Sequence, residues 1–346
     1  MNQEVSTQKD SDQSITNCQE KIDQLLTGYS SRQEFSGNIL IATKGNIHFV
    51  KSYGYSNYEN STPNNPKTIF GLASITKWIT ACRVLQLEDQ GKISFSDPLS
   101  IYFPLTTGKI IGTVTIAQIL THSSGIEDFI RMEYETKEDV SLQEFSRTLS
   151  QATVKHFPGS QINYGNSPFV ILSYIIEIVT DTNFNDGIEE YIFKPLAMYD
   201  SFMYNGLPQP KGHLAQPYER TGEAIIPAPF INLKSFRGAC GAYSTLLDLY
   251  KFAEGLNSNL LFSEKQKLKM FNDYKTGFGY GCNVDTKQFK KSENECLVYK
   301  KGGMTGWSGM LSIVPVKEKV IILLCNYWIS NIGDITNHIL GLSEEA

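Results

Sequence analysis

Features that would assign the chain to a membrane or to nucleic acid are missing from this sequence. No apolar run reaches the roughly 20 residues of a membrane-spanning helix. The longest one, at 319–326, is short and rich in β-branched residues, which is typical of a buried strand. No block of lysine and arginine occurs, and the formal net charge is −5. We therefore expect no membrane span and no nucleic acid as a partner.

Patterns for metals and organic cofactors are missing too. The six cysteines show no C-x-x-C spacing and the five histidines no H-x-x-x-H pair, so we expect reduced, buried thiols and find little support for a metal site. No Walker loop, G-x-G-x-x-G or G-x-S-x-G is present. We expect neither a metal ion nor an organic cofactor, and the sequence disfavours an esterase of the nucleophile-elbow type.

The N-terminus lacks the apolar core of a secretory signal. Residues 1–14 are polar, which predicts a disordered tail. A chain without an export signal would be cytoplasmic. If such a signal had been removed from this chain, the protein would be periplasmic or extracellular instead.

Length and patterning define a fold class. With 346 residues, of which 41% are hydrophobic, the chain can form one large domain or two fused domains. β-rich runs lie at both ends, including a hairpin signal at 44–46, and helical periodicity dominates the middle. This order predicts an α+β fold whose N- and C-terminal segments form an antiparallel sheet flanked by helices. We expect a sheet domain of residues 15–125 and 236–346, and an inserted, mainly helical domain of residues 126–235.

Local patterns place the elements more finely. Helices are predicted at 16–29, 141–150, 168–180, 244–255 and 331–342, and strands at 278–284, 295–300, 308–314 and 319–326. A long loop at 208–229 contains proline and glycine, and we expect it to form a wall or lid over a cleft.

One stretch carries a candidate nucleophile. At 69–80 an apolar run enters a helix that begins at Ser74. Lys77 follows three residues later, one turn along the same helix face, where a neutral amine can take the Ser74 proton. A bare S-x-x-K is more often an ordinary helix cap, and 6–9 also matches the pattern. The apolar residues after Lys77 predict that it is buried, and because an unpaired buried lysine is costly, this favours a chemical role.

A second stretch, Asn163-Tyr164-Gly165-Asn166, fits this nucleophile. A tyrosine hydroxyl can relay a serine proton, and the Asn166 amide can hold a substrate carbonyl or the lysine. The same triplet occurs at 55–57 beside the hairpin, so the pattern alone is weak. His122 is an alternative base, but we expect it to pack or to form a local hydrogen bond, because the lysine already supplies a base.

A third stretch, at 298–307, places Lys300 and Lys301 before Gly302 and Gly303 on a predicted edge strand. Glycines allow a ligand to approach the backbone closely. Successive side chains on a strand point to opposite faces, so only one of the two lysines can face a cleft. Taken alone, the stretch is explained equally well as a charged, solvated strand end.

In this order and at these separations, the three stretches resemble the serine β-lactamase and penicillin-binding-protein superfamily. The resemblance is to its class C-like branch, which includes class C β-lactamases, D-alanyl-D-alanine carboxypeptidases, D-aminopeptidases and related esterases. It covers about residues 30–330 and includes the segments 37–42, 70–77, 115–125, 164–166, 192–198 and 302–315. The resemblance implies a β-lactamase/transpeptidase-like fold.

The resemblance also implies roles for the matching residues. Ser74 corresponds to the nucleophile, Lys77 to its partner base and Tyr164 to a second proton-transfer residue. Asn166 matches the third position of the tyrosine motif and is a candidate substrate-binding residue. A like charge on Lys300, together with burial, would favour the neutral amine that the base needs.

The third family motif is Lys-Thr-Gly or His-x-Gly. A gapless match places Lys300, Lys301 and Gly302 on it, and implies that the oxyanion hole consists of the backbone N–H groups of the nucleophile and of Gly303. Lys301 stands where threonine is usual, which puts in doubt a carboxylate-binding hydroxyl at that position. A register shifted by one residue would place Lys301 first and make Met304 the donor.

The resulting prediction is a serine hydrolase that works through an acyl-enzyme on an amide or ester. A small molecule or a peptide is the expected partner, and a D-residue peptide, a β-lactam and a small ester all stay open as substrates. An acyltransferase that uses a carrier-bound acyl group is an alternative. A catalytically inactive binding or sensor protein of the same fold is another, although the intact Ser74, Lys77 and Tyr164 argue against it.

Overall fold

In a computed structural model of the chain, residues 2–130, 140–206, 212–222, 224–286 and 295–344 are described, with side chains from Thr16 onward. The helices are α1 Asn2–Ser31, α2 Thr76–Asp89, α3 Ile116–Leu120, α4 Leu142–Gln151, α5 Ser167–Thr180, α6 Phe184–Ile188, α7 Leu246–Asn257, α8 Glu264–Met270 and α9 Ile332–Leu342. The strands are β1 Gly37–Thr43, β2 Asn46–Tyr53, β3 Tyr55–Asn57, β4 Thr62–Pro63, β5 Thr68–Gly71, β6 Phe202–Met203, β7 His213–Leu214, β8 Tyr218–Thr221, β9 Ala224–Pro227, β10 Ala242–Thr245, β11 Asn283–Asp285, β12 Leu297–Met304, β13 Trp307–Val314 and β14 Lys319–Cys325.

The largest sheet joins the two ends of the chain. Its strand order is β11-β12-β13-β14-β1-β2, and every neighbouring pair in it is antiparallel. β1 pairs with β14 from Gly37 opposite Cys325 to Thr43 opposite Lys319. The predicted α+β fold, with an antiparallel sheet built from N- and C-terminal segments, is therefore confirmed.

The predicted hairpin lies between β1 and β2. Thr43 pairs with Asn46, and the two residues between them, Lys44 and Gly45, have φ angles of 52° and 74°. Two-residue hairpin loops with positive φ at both positions match the right-handed twist of the flanking strands. The loop therefore fixes the pairing next to the turn, and an irregularity between Ile41 and Ala42 shifts the register of the rest of the hairpin by one residue.

Helices cover both faces of this sheet, which explains why its central strands are apolar on both sides. On one face, Ile22 and Leu26 of α1 and Ile335 of α9 pack in one core cluster with Leu323 of β14. On the other face, Leu324 of β14 belongs to a second core cluster with residues of α2, α5 and α7.

A smaller sheet leads the chain to the start of α2. Its order is β6-β10-β5-β7, and β5 runs antiparallel to β10 with Gly71 opposite Tyr243. The Leu72 N–H then donates a 2.8 Å hydrogen bond to the Ala242 carbonyl, and the chain enters the short 3₁₀ turn Ala73–Ile75 directly before α2. The hydrogen bond to Ala242 thus holds the backbone directly before the turn.

Two local predictions differ from the structure. Helix α1 spans Asn2–Ser31 where a disordered tail was expected for residues 1–14, because the helix continues N-terminally from the packed segment around Ile22. The expected strand at 278–284 is reduced to β11, since Gly281 adopts a positive φ of 76° and interrupts the extended backbone. The other predicted helices and strands are present, with ends shifted by a few residues.

The middle of the chain is helical, as expected, with α5 packed against α2 and α3. The division into a sheet domain and an inserted helical domain stays a prediction. None of the helices in the described ranges is long and apolar enough to cross a membrane.

Candidate active site

Ser74 lies in the 3₁₀ turn between β5 and α2, and 9% of its surface is exposed. The residue before it, Ala73, has a φ of 46°, an uncommon conformation for a residue other than glycine. The N-cap of α2 is Ile75, whose side chain forms no capping hydrogen bond. Ser74 is therefore not an ordinary capping serine, and its hydroxyl is available for other contacts.

Lys77 is completely buried beside this serine. Its Nζ lies 3.1 Å from Ser74 Oγ, 2.8 Å from Asn166 Oδ1 and 3.1 Å from the Ala239 carbonyl oxygen. The amide oxygen and the carbonyl can only accept hydrogen bonds. A neutral amine would therefore donate its two N–H bonds to them and direct its lone pair at the Ser74 hydroxyl.

Asn166 is held in place by Asp128. The Asp128 carboxylate accepts hydrogen bonds from the backbone N–H of Asn166 at 3.0 Å and of Ser167 at 2.8 Å. These donors belong to the N-terminus of α5, where a negative charge is stabilised by the helix dipole. Asp128 thus anchors the amide that contacts Lys77.

Tyr164 lies over the same cluster. Lys77 Nζ is 5.2 Å and Lys300 Nζ is 5.1 Å from the centroid of its ring. Partial burial raises the pKa of Tyr164, but the charges of Lys77 and Lys300 and the contact with the Ser74 hydroxyl outweigh this effect, so the pKa lies below its usual value. A phenol with a lowered pKa is a better proton donor to a leaving group.

Lys300 and Lys301 lie on opposite faces of β12. Lys300 is 1% exposed and its Nζ, which has no hydrogen-bond partner in the described part of the chain, lies 5.9 Å from the Phe278 ring centroid. Burial and, to a smaller extent, the charge of Lys77 lower the pKa of Lys300. Lys301 points outward and donates to the Ser330 carbonyl. This is the arrangement that the gapless match predicts.

β12 also approaches the turn that carries Ser74. A Cβ at Gly302 would lie 2.3 Å from the Leu72 carbonyl oxygen, so only glycine permits this approach to the turn that carries the candidate nucleophile. Met304 and Trp307 form the pair that closes a two-residue hairpin. Because hydrogen-bonded pairs alternate along antiparallel strands, the N–H of Gly303 points away from β13, out of the edge that β11 leaves unpaired.

His122 is packed, as expected, rather than placed as a base. Its ring is fully buried, with ring centroids 4.4 Å from Tyr164, 5.1 Å from Phe169 and 5.0 Å from Phe278. Burial, followed by the charge of Lys300, holds the pKa of His122 well below its usual value. The neutral imidazole is therefore favoured, and the ring packs against Tyr164.

The structure brings together Ser74, Lys77, Tyr164, Asn166 and Lys300. It directs Lys301 away from them, and it adds two residues that the sequence did not reveal. Asp128 belongs to no recognisable motif and is one of 36 acidic residues. Ala239 acts through its backbone carbonyl, a group that every residue has. The only signal for Ala239 is its position in the glycine-containing segment 238–241.

The fold and this cluster define a protein of the β-lactamase/transpeptidase type. A family model described as Beta-lactamase matches residues 19–341, and the chain belongs to this family. A relative from Bacillus subtilis (strain 168), named as a penicillin-binding protein, PbpX, is 29% identical over 324 residues, which are 92% of this chain and 78% of the relative. Family and relative support the coarse prediction of a β-lactamase-related serine hydrolase.

Solved structures agree with this assignment. The octameric penicillin-binding protein homologue from Pyrococcus abyssi is similar with a TM-score of 0.82 and 26% identity, over 94% of this chain and 77% of that one. The D-amino acid amidase from Ochrobactrum anthropi SV3, crystallised with L-phenylalanine, has a TM-score of 0.80 and 19% identity, over 95% of this chain and 98% of that one. At this identity the amidase shows the shared fold alone.

Proposed function

We propose that the protein is a serine hydrolase that forms an acyl-enzyme on Ser74 from an amide or ester substrate. The observation that carries the proposal is the position of Lys77 Nζ, 3.1 Å from Ser74 Oγ and held by two groups that can only accept hydrogen bonds. This arrangement directs the lone pair of a neutral amine at the serine hydroxyl. It meets the requirement that a nucleophile has a base within hydrogen-bond reach and a third group that orients the base.

The first half of the reaction forms the acyl-enzyme. Ser74 Oγ bonds to the carbonyl carbon while its proton passes to Lys77 Nζ, and the negative charge on the carbonyl oxygen is bound by the N–H groups of Ser74 and Gly303. Each such donor contributes about 10²–10³ in rate. When the tetrahedral intermediate collapses, the bond to the leaving group breaks and Tyr164 donates a proton to it, which contributes about 10²–10⁴ in rate.

The second half releases the product. A water molecule attacks the acyl carbonyl and loses a proton to the Tyr164 phenolate. The bond to Ser74 Oγ then breaks, and Lys77 returns to this oxygen the proton that it took in the first half. The same two N–H groups stabilise the second oxyanion. The product is a carboxylic acid, and all protein groups return to their starting states without a redox step.

The experiment that tests this proposal is intact-mass spectrometry after exposure to a fluorophosphonate, a β-lactam and activated esters. We expect a mass increase at Ser74 in the wild-type protein and none in Ser74→Ala. The preferred reagent narrows the substrate class. A folded wild-type protein that gains no mass from any reagent would instead indicate a binding protein of the same fold.

A further inference from the structure

An apolar cavity of about 510 Å³ lies next to the candidate active site. Its walls include Phe202, Tyr204 and Leu233, and its mouth includes Phe230, which is 80% exposed. Of the described residues that line it, none carries a charge. A ligand group buried against these described lining residues would therefore leave water without meeting a charged side chain among them, which favours an uncharged apolar group.

Two segments connect this cavity to the catalytic cluster. On β12, the cavity residue Met304 directly follows Gly303, and its side chain lies on the same strand face as Lys300 and Gly302. The second segment follows Ala239, whose carbonyl oxygen contacts Lys77, and it reaches the cavity within a few residues. A Cβ at Gly241 would contact the cavity residues Tyr204 and Leu233 at 3.7 and 3.9 Å.

The direction of β12 assigns this cavity to one half of the substrate. Tyr164, the candidate donor to the leaving group, lies at the Lys300 end of the strand. The cavity lies at the opposite end, beyond the candidate oxyanion donor Gly303. A carbonyl bound between these points therefore directs its leaving group toward Tyr164 and its acyl substituent toward the cavity at Met304.

We propose that this cavity binds the acyl substituent, so that the enzyme prefers esters or amides of bulky, uncharged, apolar acids. The inference rests on the proposed function and names its substrate class. It disfavours acyl groups that carry a free ammonium or carboxylate, because the described lining offers no counter-charge to either. Burial of one methylene is worth up to roughly a fourfold change in kcat/KM.

The experiment compares p-nitrophenyl esters of acetate, butyrate, hexanoate and ω-aminohexanoate. The last two have the same chain length and differ by a terminal ammonium. We expect kcat/KM to rise at least about tenfold from acetate to hexanoate, and to return to the acetate level for ω-aminohexanoate. A flat series, or equal rates for hexanoate and ω-aminohexanoate, would overturn the inference.

Matched variants localise the effect. Phe230→Glu and Leu214→Glu each place a charge at an exposed part of the cavity mouth, 80% and 42% exposed respectively, so both should fold. Phe157→Glu is the control, because Phe157 is 77% exposed and does not line this cavity. We expect the hexanoate-to-acetate ratio to fall in both mouth variants and to keep its wild-type value in the control. An unchanged ratio in both mouth variants would overturn the inference.

The same experiment separates this inference from the proposed function. If a fluorophosphonate labels Ser74 and the esters are hydrolysed without a chain-length preference, the cavity assignment is wrong and the acyl-enzyme proposal survives. If no ester is hydrolysed and Ser74 is not labelled, the proposed function is wrong, and the inference is overturned with it.

Discussion

The side-chain nitrogen of Lys300 lies 5.1 Å from the ring centroid of Tyr164. Lys77 Nζ lies 5.2 Å from the same ring, so two buried lysines flank a single phenol. Their charges favour the ionised phenol and lower the pKa of Tyr164 despite its partial burial. The charge state of Tyr164 therefore depends on a residue of β12 that is distant from it in the sequence.

The first prediction follows from this pair. Lys300→Ala removes a cation that stabilises the phenolate, so the pKa of Tyr164 should rise. Lys301→Ala should leave this pKa unchanged, because Lys301 points away and donates to the Ser330 carbonyl. The measurement is a titration of tyrosinate absorbance, in which a matching Tyr164→Phe titration isolates the contribution of this residue. A shift in Lys301→Ala but not in Lys300→Ala would show that the register is off by one.

The second prediction concerns the base. Lys77→Arg places a guanidinium where the reaction needs a neutral amine, and it should lose roughly 10²–10⁴ in kcat because a guanidinium does not lose its proton in proteins. The assay is steady-state hydrolysis of an activated ester, with circular dichroism to verify the fold. Near wild-type turnover in this variant would exclude the Lys77 amine as the base.

A third prediction concerns Asp128, which anchors Asn166. Asp128→Asn loses the charge and one acceptor for the N-terminal N–H groups of α5, so it should lower both stability, by about 0.5–2 kcal/mol, and kcat. Urea unfolding and ester hydrolysis measure the two effects.

The control for Asp128 is Ser141→Ala. Ser141 caps α4 through the N–H of Glu144 and lies outside the catalytic cluster. This variant should lose comparable stability and keep its kcat. If both variants reduce stability and neither changes kcat, Asp128 only stabilises the helix and does not position Asn166 for the reaction.

The fourth prediction is a dependence of stability on pH. His122 has a depressed pKa in the folded protein, so below its ordinary value of about 6.5 the unfolded chain binds a proton that the folded protein does not. Stability should therefore decrease as the pH falls below about 6.5, by up to about 1.4 kcal/mol per pH unit. The measurement is urea unfolding at several pH values, and His122→Phe should show a shallower slope than the wild-type protein.

The same variant tests whether His122 only packs. His122→Phe preserves an aromatic ring among Tyr164, Phe169 and Phe278. Its kcat should fall far less than the roughly 10²–10⁴ expected for loss of a general base. A loss of that size in a folded variant, together with an unchanged slope of stability against pH, would contradict the packing role.

Much of this arrangement could be predicted from local sequence. The S-x-x-K spacing predicted that the Lys77 amine meets the Ser74 hydroxyl, although Ser74 lies in the 3₁₀ turn before α2 and not on the helix itself. Alternation on a strand separates Lys300 from Lys301. The β-rich ends of the chain predicted the antiparallel sheet. These features depend on short-range periodicity, and so the sequence contains them directly.

Other features depend on contacts between distant segments. Asp128 and the Ala239 carbonyl meet the cluster only after the chain has folded, and neither residue type stands out at its position. The segment 278–284 has the composition of a strand, but Gly281 adopts a positive φ of 76° that composition does not reveal. Residues 1–14 are polar, and composition alone predicts disorder for them. In the structure, helix α1 extends through this segment to Asn2 from its packed C-terminal part, which composition does not reveal.

The most direct test of the account is the intact mass of the protein during turnover of an activated ester. Ser74 caps no helix, so Ser74→Ala should keep the fold. The wild-type protein should gain the mass of one acyl group on Ser74 within the first turnover, and Ser74→Ala should gain no mass and lose hydrolysis. Hydrolysis by Ser74→Ala at the wild-type rate would contradict the acyl-enzyme mechanism.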